Sequence, residues 1–154
     1  MKNIEELTCI ANHFLKTTYH LELSIPIRIS NRMSAKLGAF VLKGNKPYEI
    51  VLSINLIENY NLDTIVDVLK HECVHYALYS LGRPFKDGQT DFESELKRLN
   101  ISSTYTYSFK GTVHVYKCNT CNIVFHKRIK GYEKRYRCGR CRKKFKYLGE
   151  KILK

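Results

Sequence analysis

The chain has no tryptophan, three prolines and two methionines among its 154 residues. It also lacks any apolar run approaching the roughly 18 residues that mark a membrane-spanning helix. A membrane-spanning segment is therefore not expected. The opening Met-Lys-Asn-Ile-Glu-Glu lacks the apolar stretch of a secretion signal, so the expected location is cytoplasmic, with nucleoid association compatible. An apolar content of 44% with 12% aromatics fits a packed globular fold.

A second scarcity is local. Residues 109–154 contain two acidic side chains against 15 Lys/Arg, whereas residues 1–108 hold 12 of each sign. The whole net charge of +13 lies in the last 46 positions. Segregation of this kind marks a separate module with a polyanionic partner, and nucleic acid is the leading candidate. An anionic membrane surface, an acidic protein or a merely soluble basic tail are the alternatives.

Four of the six cysteines form two Cys-x-x-Cys pairs, Cys118/Cys121 and Cys138/Cys141, separated by 16 residues. In a chain expected to be cytosolic, this spacing indicates a four-thiolate zinc ribbon rather than disulfides. The strands expected for it cover residues 113–117, 123–125, 134–137 and 145–147. So small a module, poor in apolar residues, should need its metal to fold. His114 and His126 are expected to be strand residues, because four cysteines already complete the site. Cys73 is expected to be a small buried apolar residue.

The cations Lys127, Arg128, Lys130, Lys134, Arg135, Arg137, Arg140, Arg142, Lys143 and Lys144 interleave with Tyr132, Tyr136, Phe145 and Tyr147. That alternation suits phosphate contact with base stacking, without a recognition-helix signature. The expected partner is nucleic acid, bound as single strands or without strong sequence preference. The opposing expectation gives about half of the rings to the ribbon's core.

In the neutral part, apolar periodicity predicts an amphipathic helix over residues 4–18. Short strands follow at 25–29, 38–42 and 48–54, the last two joined by a hairpin turn at Gly44-Asn45. A helix is expected from Asp63 or Thr64, either of which could cap it, to about Leu81, with Gly82 and Pro84 as stop signals. Another is expected from Thr90, where Thr90-Asp91-Phe92-Glu93 fits a capping box. A Ser/Thr/Tyr-rich connector covers residues 102–108. The expected domains are 1–103 and 109–154.

The central helix carries His71-Glu72-Cys73-Val74-His75. Residues four apart on an α-helix lie on one face, so both imidazoles can share one metal ion. Glu72 lies beside them, placed to take a proton from a water held there. A third protein ligand is needed, yet no histidine occurs between His75 and His114. Asp87, 12 residues past His75, could supply a carboxylate or could belong to an ordinary Asp-Gly turn. Tyr76 and Tyr79 are candidates for oxyanion stabilisation or for core packing.

With Asn31-Arg32, Gly38, the His71–His75 motif, Asp87-Gly88 with Phe92, and the four-cysteine tail, the chain resembles the SprT-like zinc metallopeptidases. That family includes a eukaryotic DNA–protein crosslink protease. The resemblance implies an α+β fold: a small zincin-like metallopeptidase domain followed by a C-terminal β zinc ribbon. It implies two zinc ions per chain, one of catalytic type and one structural. A third zinc-binding histidine usually falls four or five residues before the aromatic corresponding to Phe92. Here those positions hold Gly88 and Asp87, which favours Asp87 as the ligand over Asp91 or Glu93. An aspartate adds negative charge at the metal and should weaken its Lewis acidity. Two functions follow: a zinc peptidase directed to DNA-bound or crosslinked proteins, or a non-catalytic nucleic-acid-binding protein with a vestigial HExxH site.

Overall fold

The structure, a computed structural model, describes residues 3–103 and 106–154. The chain divides into two compact units, with the division between Ser108 and Phe109. Among the described residues, no helix is long and apolar enough to cross a membrane.

The first unit begins with α1 (Ile4–Tyr19), capped by Asn3, whose side chain accepts from the Glu6 N–H at 2.8 Å. Leu7, Ala11, Phe14 and Leu15 form its buried stripe. Strands β1 (Ile27–Ser30), β2 (Gly38–Lys43) and β3 (Lys46–Ser53) form a sheet in the order β1-β3-β2. The β2–β3 hairpin turns through Gly44 and Asn45, both left-handed at φ +58° and +61°, as a type I′ turn requires. β1 lies parallel to β3, pairing Ile27 with Ile50, a non-local contact that strand patterning does not reveal.

Two boundaries differ from expectation because a polar side chain acts earlier than the apolar pattern suggests. Ser53 ends β3 by capping a short helix, α2 (Ile54–Asn59), and its hydroxyl accepts from the Leu56 N–H at 3.0 Å. At six residues this helix is too short for apolar periodicity to reveal it. The central helix α3 (Leu62–Ser80) is capped by Asn61, which accepts from the Thr64 N–H at 2.9 Å, and not by Asp63 or Thr64. Every residue of α3 from His71 to Leu78 is buried. α1, the sheet and α4 (Thr90–Arg98) surround this stretch, so the motif sits inside the core rather than on an amphipathic face. The Thr90 capping box does not form. Gln89 occupies the cap position without a side-chain bond, and Glu93 instead accepts from the Gly88 N–H at 2.9 Å.

The second unit is a three-stranded antiparallel sheet, β5-β4-β6, from β4 (Gly111–Cys118), β5 (Val124–Lys127) and β6 (Phe145–Leu153). The expected strand at 134–137 is instead a single helical turn, α5 (Tyr132–Arg135), entered through Gly131 at φ +86°. That left-handed bend tucks Tyr132 against Tyr116, and only Arg137 makes a β-bridge, to Lys144. The small core centres on the fully buried Tyr116, ringed by Phe125, Tyr132 and Tyr147 at 5.4–5.7 Å.

Candidate metal centres

His71, Glu72 and His75 present ligand atoms within 4.8 Å of one another, and each residue is only 6% exposed. The imidazoles are held from behind. His71 Nδ1–H donates to the Ser102 carbonyl at 2.8 Å, and His75 Nδ1–H donates to the Phe85 carbonyl. A carbonyl can only accept, so each Nδ1 must carry the hydrogen and each neutral ring turns its Nε2 lone pair forward. Phe92 fixes the ring planes. It stacks on His75 (4.1 Å between centroids, 11° between planes) and meets His71 edge-on at 5.3 Å.

Both Nε2 atoms converge on one oxygen. Asp87 Oδ1 lies 3.0 Å from His71 Nε2 and 3.4 Å from His75 Nε2. The loop after α3 delivers this carboxylate: Gly88 is left-handed (φ +83°), its N–H is held by Glu93, and the Lys86 N–H donates to Gln89 Oε1 at 2.9 Å. Two imidazole lone pairs and a carboxylate oxygen facing one another are three acceptors with no donor among them. Only a proton or a cation makes that arrangement favourable. Tetrahedral N/O ligands of zinc stand about 3.3 Å apart, which the two distances bracket. The residues present therefore fit a zinc ion. Of the other carboxylates considered, Glu93 is committed to the Gly88 N–H, and Asp91 lines a separate open cleft with Arg83, Ser94, Glu95 and Arg98.

Electrostatics at the site follow from this crowding. Burial opposes protonation of His71, but the Asp87 hydrogen bond, the Glu72 charge and the Ser102 carbonyl outweigh it and raise its pKa. Burial pushes Glu72 above the ordinary carboxylate range, although His75 and His71 pull it back in part. A carboxyl raised in this way is better matched to accepting and returning a proton near neutrality. Glu72 also has a neighbour that the sequence offered only through resemblance. A Cβ added at Gly38 would stand 3.1 Å from Glu72 Cγ and 3.2 Å from its Oε1. β2 thus passes so close to the motif that a side chain at position 38 would press on Glu72 and on Val68 Cγ1, also 3.1 Å away.

Tyr76 and Tyr79 do not point their hydroxyls at this centre. Tyr76 donates to the Glu22 carbonyl at 2.9 Å, and Tyr79 donates to the Asn45 carbonyl, so both tie α3 to neighbouring backbone. Cys73 is fully buried among the core residues, and burial raises its thiol pKa strongly, as befits an inert apolar side chain.

The second cluster is the four cysteines, which are free thiols. Cys118 Sγ lies 3.5 Å from Cys141 Sγ, and Cys138 Sγ lies 3.8 Å from Cys121 Sγ. A disulfide needs about 2.05 Å, whereas four sulfurs at zinc–sulfur distances of about 2.3 Å stand about 3.8 Å apart. The two halves repeat one geometry. The Asn122 N–H returns to the Cys118 carbonyl at 2.7 Å, as the Arg142 N–H does to Cys138 at 2.8 Å, and Asn122 and Arg142 are both left-handed. Backbone N–H groups of Cys141 and Arg140 lower the Cys138 thiol, whereas hydrogen bonding among the clustered thiols, foremost with Cys141, raises Cys121. His114, buried in β4, pairs through Nδ1 with the Tyr147 hydroxyl at 2.9 Å, and His126 is exposed on β5. Neither joins the cysteine cluster.

All ten cations singled out from 127 to 144 are exposed. The rings interleaved with them divide unevenly. Tyr132, Phe145 and Tyr147 are half-buried in the ribbon's aromatic cluster, while Tyr136 is 49% exposed and stacks on Tyr132 at 4.5 Å.

Two buried histidines and a glutamate on one helix, with a separate four-cysteine cluster, define a zinc metallopeptidase-type centre paired with a structural zinc ribbon. Comparison with known proteins agrees. The SprT-like family model matches residues 4–110, and the chain belongs to that family. A SprT-like protein of Bacillus cereus is 30% identical over 125 residues, covering 79% of this chain and 80% of its own length. One from Streptococcus gordonii is 35% identical over 96 residues (60% and 64%). One from Anoxybacillus flavithermus is 26% identical over 146 residues (93% and 95%), so that alignment extends into the ribbon.

Proposed function

We propose that the chain is a zinc-dependent peptidase that its basic ribbon brings to nucleic acid, foremost DNA, to act on DNA-bound or crosslinked proteins. The observation that carries the chemistry is the convergence of His71 Nε2, His75 Nε2 and Asp87 Oδ1 beside a buried Glu72. In this reading those three residues hold the zinc and the four cysteines hold the second ion. Zinc bound there would supply Lewis acidity, polarising a scissile carbonyl and easing deprotonation of water. Glu72 takes the proton from the attacking water and returns it to the leaving amine. Ser102 and Phe85 keep the two imidazoles aimed while this happens. The setting is cytoplasmic, at the nucleoid. Asp87 in a position where histidine is usual lowers the charge at the metal, and this favours slow turnover over loss of zinc.

Glu72→Gln should keep both zinc ions and lose proteolysis by a factor of at least about a hundred, the scale of general-base contributions. Undiminished cleavage by that variant would overturn the mechanism. Targeting is tested by salt: affinity for single-stranded DNA should fall steeply between about 50 and 200 mM salt, following released counterions. Weak affinity without such a slope would point to an acidic protein partner instead.

A further inference from the structure

His71 is oriented by a carbonyl that does not belong to its own helix. Ser102 follows α4 and itself lies in neither helix nor strand, so something must hold its peptide against α3. The Ser102 N–H donates to Asp67 Oδ1 at 3.2 Å. Asp67 stands one helical turn before His71 on the same face of α3. Its other oxygen, Oδ2, accepts from the Tyr107 hydroxyl. Burial, and then the Asp67 hydrogen bond, raise the Tyr107 pKa, so the phenol stays a donor. One residue further, the Ser108 carbonyl accepts from the Tyr60 hydroxyl at 2.8 Å. One carboxylate therefore gathers Ser102 and Tyr107, and the peptide it gathers is the one that sets the His71 tautomer.

We propose that Asp67, clamped by Tyr107, is a positioning residue for metal binding, because it fixes the Ser102 carbonyl that aims His71 Nε2. This rests on reading His71 and His75 as zinc ligands. Partners one shell outside a metal ligand commonly change metal affinity by about 10- to 100-fold. Asp67 acts through one further hydrogen bond, which places the expected effect near the lower figure.

The test is a zinc competition titration of the full chain, and the cysteine site in the same molecule is the internal reference. Asp67→Ala should weaken zinc at the histidine site about tenfold and leave the ribbon's affinity unchanged. Asp67→Asn, which keeps an amide oxygen for the Ser102 N–H, should recover most of the loss. Tyr107→Phe removes a single hydroxyl and keeps the test readable if Asp67→Ala folds poorly; it should weaken the histidine site several-fold. With cobalt in place of zinc, the bands of the histidine site should shift in the Asp67 variants while the thiolate bands stay. Wild-type affinity in all variants, or equal weakening at both sites, overturns the inference and leaves the peptidase reading intact. A wild type that binds two zinc ions but has no proteolytic activity overturns the peptidase reading alone. A wild type that takes no zinc at His71 and His75 overturns both.

Discussion

At the scale of residues, the site is a problem in donors and acceptors. Each imidazole has its Nδ1–H committed to a carbonyl, so two lone pairs and the Asp87 oxygen face a common point. His71, Glu72 and His75 were legible in the sequence because helical spacing places them together. Asp87 was legible only as one of several carboxylates, since a loop conformation decides which of them reaches the rings. Ser102, Phe85 and Asp67 were not legible at all. Two of them act through backbone carbonyls, which every residue has, and the third acts through a peptide 35 positions away. Gly38 shows how a residue without a side chain can matter. A Cβ there would crowd Glu72 Cγ at 3.1 Å and force it to shift by a few tenths of an ångström. Misplacing a catalytic group by about 1 Å can cost about a hundredfold. Gly38→Ala is thus expected to lower turnover about tenfold with zinc content unchanged, as peptidase assays alongside metal analysis would read.

At the scale of elements, α3 is the part that most exceeds its sequence pattern. A stripe was readable through Ile65, Val68, Leu69 and Leu78, yet eight consecutive residues are buried on all sides. Burial all round comes from long-range packing of α1, the sheet and α4, which local periodicity does not contain. The hairpin turn, whose Gly-Asn pair suits left-handed backbone, was fully legible; the parallel β1–β3 pairing was not, because no local signal specifies a partner strand. α4 is anchored by a buried carboxylate. Burial alone would raise Glu95, but opposing interactions, led by the hydrogen bond and charge of Arg98 and including the charge of Arg83, outweigh it and hold its pKa below the ordinary value. A carboxylate lowered in the folded state stabilises above its unfolded value, about 4.3, and this contribution vanishes as pH falls through the folded value. Wild type should therefore melt higher than Glu95→Gln near neutral pH, and the gap should close below about pH 4 in thermal denaturation series. A gap independent of pH would mean that the carboxylate charge is not what anchors the helix.

At the scale of the whole molecule, charge and metal are divided between two units. The first carries balanced charge and the histidine centre, and the second carries the excess of cations and the cysteine centre. This division could be read from composition because it needs no three-dimensional information. The short helical turn at 132–135 could not, since Gly131 and the aromatic packing beneath it decide the path. Among the described residues of the ribbon, Val113 and Tyr116 are the apolar side chains other than cysteine that are almost fully buried. So small a core supplies no more than a few kcal/mol, whereas a structural zinc contributes about 10–16 kcal/mol near neutral pH. A strong chelator should therefore unfold the ribbon while α1–α4 persist. Loss of protection in hydrogen exchange confined to residues after 109 would be its signature.

In the proposed protein His71, His75 and Asp87 share one zinc ion while the four cysteines hold another. Anomalous scattering at the zinc edge from crystals of the zinc-loaded protein tests it most directly. Two peaks are expected, one about 2.0–2.2 Å from His71 Nε2, His75 Nε2 and an Asp87 oxygen, the other about 2.3 Å from each cysteine sulfur. A single peak within the ribbon, or a zinc at the histidines that Asp87 does not touch, would overturn this assignment of ligands.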